Sequence, residues 1–249
     1  MAMATSPTLR SFPVWDRTTR WFHWINVLCV IGLAAIGVAI LFGKELGVSA
    51  EGKVLLKTIH VWFGYVLAIN LGWRLIWAFF GGRYARWPAI LPGGAGYGRA
   101  AREYLAGLIK GDAPRYLGHN PLGRLAITVL LALLLVQAVT GLVLAGTDIY
   151  FPPFGGWIAA WVAAPGVDPA SLVPGDMTGV DETAYRSMRA FREPFITVHY
   201  WNFYVLCAAV VVHVAAVVLT EIREGGGIIS AMFTGRKTLD KEPVDIDRF

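Results

Sequence analysis

Five histidines occur in this 249-residue chain, and four of them, His23, His60, His199 and His213, lie in long apolar runs. An ionisable side chain in such a run is costly to place in lipid and is treated as functional by default. His199 and His213 share one run, 14 residues apart. Over that interval a helix turns about 1400°, roughly 40° short of four full turns, and rises about 21 Å. Both imidazoles therefore face one interior, at two depths, and each needs a partner at its own depth. With the N-terminus inside, His23 opens the first run level with His213, and His60 opens the second run level with His199. Two imidazoles facing across a gap the width of a porphyrin make a bis-histidine haem site, and two such sites stacked across a bilayer make an electron wire. Zinc fits poorly, because pairs at different depths lack the further ligands of a closed tetrahedron. Hydrogen-bonded packing would explain one membrane histidine taken alone. It does not explain matched depths on three helices.

The neighbours of these histidines fit haem as well. Arg74 follows His60 by 14 residues, which brings a guanidinium to the depth of His23 and His213, and a buried guanidinium calls for an anion such as a propionate. Gly37 follows His23 by 14 residues, at the depth of the other pair, where a missing side chain would let a flat macrocycle approach. Gly64 and Gly141 are further candidates, although close helix packing is an equal use for each glycine. His119 precedes the third run as a capping or surface residue. Trp21, Trp24, Trp62, Trp73 and Trp77 read as interfacial anchors and haem packing. Two cysteines, Cys29 and Cys207, and no C-x-x-C-H leave no c-type haem attachment and no iron–sulfur cluster, so any redox centre rests on histidine.

Four runs are long enough to carry these residues across a bilayer: about 21–42, 54–80, 122–145 and 195–220. With 56% hydrophobic and 16% charged residues, a water-soluble globule is excluded. The expected fold is an all-α membrane protein, a single transmembrane domain over 1–249 with four helices and two haems inside the bundle. Of the 22 Lys and Arg, 15 lie in the N-terminus, the 81–121 loop with Arg124 just beyond its end, and the tail (Arg248 included), 6 lie in the other two connections, and Arg74 lies within a span. Both termini and the 81–121 loop are therefore expected in the cytoplasm, and the 146–194 loop on the opposite face of the membrane. The net charge of +5 orients helices and binds no nucleic acid. No removable signal peptide is expected. A short surface helix is expected at 97–110 and another near 157–165, and Asn120-Pro121 is built to start the third span.

VWDRTTRWFHW at the start, HVWFGYVLAINLGWRLIW in the second run, RYLGHNPLGR before the third and VHYWNFYVLCAAVVVHV in the fourth resemble the bacterial cytochrome b561 superfamily. Within it they are most similar to the b-type cytochrome subunit of membrane-bound nickel-iron hydrogenases, over about residues 13–239. The resemblance implies a four-helix cytochrome with two haems b, its ligands falling on His23, His60, His199 and His213. It implies electron transfer between a periplasmic redox protein (a hydrogenase, another dehydrogenase or a c-type cytochrome) and the quinone pool. Quinone is then expected on the cytoplasmic side, near Asp16, Arg20 and His119. Tyr200-Trp201-Asn202 stands where that subgroup would carry further histidines, and the segment before His199 is long. A self-contained membrane oxidoreductase acting on a small substrate at the outer face is the alternative.

Overall fold

A computed structural model describes residues 9–225 and 227–247; Arg248, counted above among the basic residues of the tail, lies outside them. In chain order the elements are β1 (Arg10–Pro13), α1 (Arg17–Leu41), α2 (Ala50–Phe80), a 3₁₀ turn at Arg83–Ala85, α3 (Trp87–Ile90) and α4 (Tyr97–Lys110). There follow α5 (Pro121–Ile149), α6 (Gly155–Val162), a 3₁₀ turn at Pro169–Ser171, α7 (Glu182–Glu224), α8 (Ile228–Thr234) and β2 (Arg236–Leu239). Helices α1, α2, α5 and α7 are each long and apolar enough to cross a membrane.

Each of these four helices begins the same way. A side-chain oxygen just before the helix accepts a backbone N–H three residues on: Asp16 from Thr19 at 2.7 Å, Ser49 from Gly52 at 3.0 Å, Asn120 from Gly123 at 2.7 Å and Asp181 from Ala184 at 2.7 Å. Such caps satisfy donors that the first turn leaves without partners. The fourth helix is much longer than its apolar run. Its 43 residues make it about 64 Å long, twice the hydrocarbon thickness of a bilayer. The extra length is the polar stretch before Phe195, and the helix continues through Pro194 at the loss of one helical hydrogen bond.

Backbone contacts divide the chain into two compact units, and α1, α2, α5 and α7 contribute a segment to each. The first unit holds the described residues of Met1–Trp24, Gly72–Ala132 and Cys207–Phe249. There β1 pairs antiparallel with β2, from Arg10 opposite Leu239 to Pro13 opposite Arg236. Trp15, Tyr84, Leu117, Ala231 and Leu239 form its core, flanked by Phe12, Val14 and Met232. Two of its buried charged groups are matched: Asp245 accepts the N–H groups of Leu117 and Gly118 at 2.7 and 2.8 Å, and Lys237 Nζ donates to the carbonyls of Tyr116 and Gly118, both at 3.1 Å. Burial brings the Lys237 pKa down to about 8. Tyr104 on α4 donates to Glu224 at 2.6 Å and accepts from Asn120 at 2.7 Å, which ties the surface helix to the start of α5 and the end of α7.

The second unit holds Ile25–Leu71 and Leu133–Leu206. Its apolar core, Ile158, Ala159, Val162, Leu172 and Met188, fastens α6 and the Pro169–Ser171 turn onto the early part of α7. Asp148 accepts from Lys57 at 2.7 Å and from Arg192 at 2.5 and 3.0 Å, joining α2, α5 and α7 through one carboxylate. An amide pair, Asn70 donating to Asn26 at 3.0 Å, links α2 to α1. Exposed side chains along the long helices, such as Ile31, Ile69 and Val139, are the apolar surface that a bilayer covers.

Candidate haem-binding site

In the second unit the rings of His60 on α2 and His199 on α7 face each other with centroids 6.4 Å apart and planes inclined by 71°. These two imidazoles would hold a haem iron between them. Two glycines make room for the pair. A Cβ at Gly37 would lie 3.5 Å from His60, and one at Gly141 would lie 3.3 Å from His199. A Cβ at Gly64 would meet nothing within 4 Å, so Gly64 backs neither ring.

The polar surroundings of His199 settle which of its nitrogens carries the proton. Thr140 Oγ1 gives its own proton to the Val136 carbonyl at 2.7 Å and can only accept from His199 Nδ1 at 2.9 Å. Asn202 Nδ2 donates to Gln137 Oε1 at 2.6 Å, which turns the amide N–H of Gln137 toward His199 Nε2 at 3.0 Å. The chain of donors makes His199 the Nδ1–H tautomer, with the lone pair on Nε2, the nitrogen a haem iron needs. Iron and the Gln137 amide compete for that one lone pair. His60 Nδ1 is enclosed and has no hydrogen-bond partner among the described residues.

In the first unit His23 on α1 and His213 on α7 are close enough to interact electrostatically. Trp24 sets its ring edge-on to His23, centroids 5.3 Å apart, and donates its indole N–H to the Met232 carbonyl at 3.1 Å. Arg74 is 5% exposed, lies 5.6 Å over the Phe22 ring and forms no ion pair among the described residues. A guanidinium in that condition suits a carboxylate brought by a ligand. The donors thus suit haem: two imidazoles in each unit, an Nε2 lone pair on His199 in the second, and in the first the buried Arg74 guanidinium able to hold a propionate.

Arg20 and His119 sit in the first unit in roles that the sequence does not disclose. The Arg20 guanidinium donates to the carbonyl of Phe233 at the end of α8. The His119 ring packs on Trp15, centroids 4.6 Å apart, with an enclosed Nδ1 that has no partner among the described residues. Burial first, then Lys237, Arg74, Arg124 and His213, pushes its pKa down to about 3, so the ring is neutral at physiological pH. Asp16 is occupied as well: besides capping α1 it accepts the Trp77 indole N–H and the Gly82 N–H, both at 3.2 Å.

Gln137, Thr140 and Asp148 escaped the reading of the sequence, and Asn202 entered it only as a departure from a family pattern. Their signal was present all the same, as polar residues at helical spacing inside or at the end of an apolar run.

Four long apolar helices, with half-buried histidines on three of them, describe a helical membrane cytochrome. The chain belongs to the prokaryotic cytochrome b561 family, whose model matches residues 14–235. It is 27% identical to a probable Ni/Fe-hydrogenase B-type cytochrome subunit of Rhizobium leguminosarum bv. viciae, over 92% of this chain and 89% of the relative. The protein of the same description from Cupriavidus necator is 24% identical over 95% and 91%. The probable Ni/Fe-hydrogenase 1 B-type cytochrome subunit of Escherichia coli K12 is 31% identical over 56% and 62%. Membership carries with it a b-type haem and electron transfer in a membrane.

Proposed function

We propose that this chain is the two-haem cytochrome subunit of a membrane-bound hydrogenase, carrying electrons between a periplasmic hydrogenase and the quinone pool of a bacterial inner membrane. One observation supports the reading: His60 and His199 lie in one unit, His23 and His213 lie in the other together with His119, and α7 supplies a histidine to each. The excess of Lys and Arg supports a cytoplasmic position for both termini, and with them for His23 and His213. His60 and His199 then belong to the periplasmic half. Each haem supplies reversible one-electron chemistry. The chain's own work is to present two Nε2 lone pairs per haem, to exclude water with aromatic and aliphatic side chains, and to balance a propionate charge with Arg74. The hydrogenase enters through the descriptions of the relatives over most of the chain. The 146–194 segment, with Trp157 74% exposed on α6, is the surface offered to that partner.

The test is to purify the tagged chain from its native membrane and supply hydrogen gas. A hydrogenase should copurify, hydrogen should reduce both haems, and a quinone analogue should reoxidise them. Haems that dithionite reduces and hydrogen does not, in a preparation lacking hydrogenase, would overturn the hydrogenase reading.

A further inference from the structure

The hydrogen-bond chain around His199 has no equivalent on the other three histidines among the described residues. Thr140 is its hinge. This threonine is 6% exposed, one turn of α5 from Val136, and its hydroxyl proton is committed to the Val136 carbonyl at 2.7 Å with a longer contact to the Gln137 carbonyl at 3.2 Å. Its oxygen is therefore held as an acceptor toward His199 Nδ1 at 2.9 Å. Gly141, the next residue, lets α5 come close enough for that bond, since a Cβ there would lie 3.3 Å from the same imidazole. On the far side of the ring, Asn202 donates to both the Leu133 carbonyl at 3.0 Å and Gln137 Oε1 at 2.6 Å, so the amides are oriented too.

We propose that Thr140 is a positioning residue for the His60–His199 haem, fixing the His199 tautomer and lowering the potential of that haem. This rests on the reading of His60 and His199 as haem ligands. An acceptor on the distal N–H of a ligating imidazole raises the basicity of the coordinating nitrogen and favours the more positively charged, oxidised metal. His60 has no such acceptor on Nδ1 among the described residues. The effect therefore enters from one side of the pair, through α5, and a substitution at Thr140 should move one haem and leave the other alone.

The experiment is a redox titration, followed by absorbance, of the full chain and of Thr140→Val, Thr140→Ser and His199→Ala, with haem content measured on each preparation. Valine keeps the volume and removes the oxygen; serine keeps the oxygen. Thr140→Val should raise one of the two midpoints by an amount equivalent to roughly a tenfold shift in the oxidised-to-reduced equilibrium, about 59 mV for one electron. Thr140→Ser should restore it. Loss of one haem in Thr140→Val with both kept in Thr140→Ser would also support a hydroxyl that holds the ligand. Unmoved midpoints in Thr140→Val, or equal displacement by serine and valine, would overturn the proposal. His199→Ala separates the two levels: if it keeps both haems, the ligand assignment beneath the proposal fails, and if it loses one while Thr140→Val changes nothing, only the role of Thr140 fails.

Discussion

His199 is flanked by Thr140 and Gln137, whereas His23 has the Trp24 ring edge-on beside it, so the two pairs should respond differently to single substitutions. Arg74 gives the sharpest residue-scale expectation. It is buried in the first unit with His23 and His213, and a positive charge beside a haem favours the reduced, less positive state. Arg74→Leu should lower the midpoint of one haem, the one lost in His23→Ala, and leave the haem lost in His199→Ala unchanged. Redox titration of the three variants checks this, and an Arg74→Leu shift in the other haem would place the arginine wrongly. The histidines and Arg74 were legible in the sequence because a 14-residue interval is close to four helical turns, so one face can be read by counting. The contacts of His199 were not legible, since they join α5 to α7 and no periodicity within one run records which residues of another run it meets.

The starts of the long helices are set by local chemistry, and one of the four caps, Asn120, was read directly from its Asn-Pro pair. Its side chain does two jobs, accepting from Gly123 and donating to Tyr104. Asn120→Ala should cost about 1 kcal/mol for the cap, with more for the Tyr104 contact, measured as a fall in thermal unfolding temperature in detergent. Asp148 matters more. It neutralises Arg192, whose side chain is 10% exposed, and Lys57, whose side chain is 35% exposed. Asp148→Ala leaves the Arg192 charge buried without a partner and should destabilise the second unit by roughly 3–5 kcal/mol, against a smaller loss for Arg192→Met with Lys57 still in place. Equal stability of Asp148→Ala and the parent chain would contradict this. Hydropathy located all four spans, yet it could not show that α7 begins at Glu182, because the added turns are polar and are held by Asp181 and by packing on α6 instead of by lipid.

For the molecule as a whole, composition alone separates a membrane protein from a soluble one, and the family match over residues 14–235 makes it a cytochrome. Direction across the membrane and the identity of the partner are written in surfaces. If the 146–194 segment receives the electron donor, Trp157→Ala combined with Trp161→Ala should slow hydrogen-driven haem reduction severalfold while dithionite reduction and haem content stay as they were; these side chains are 74% and 42% exposed and neither belongs to the core around α6. An unchanged hydrogen-driven rate would move the docking surface elsewhere. The most direct measurement is the ratio of haem b to chain, taken by pyridine haemochrome on the parent protein, His199→Ala and His23→Ala. Two haems in the parent and one in each variant, with distinct midpoints for the haems that survive, are the expected result; one haem in the parent, or two remaining in either variant, would contradict the pairing of His60 with His199 and His23 with His213.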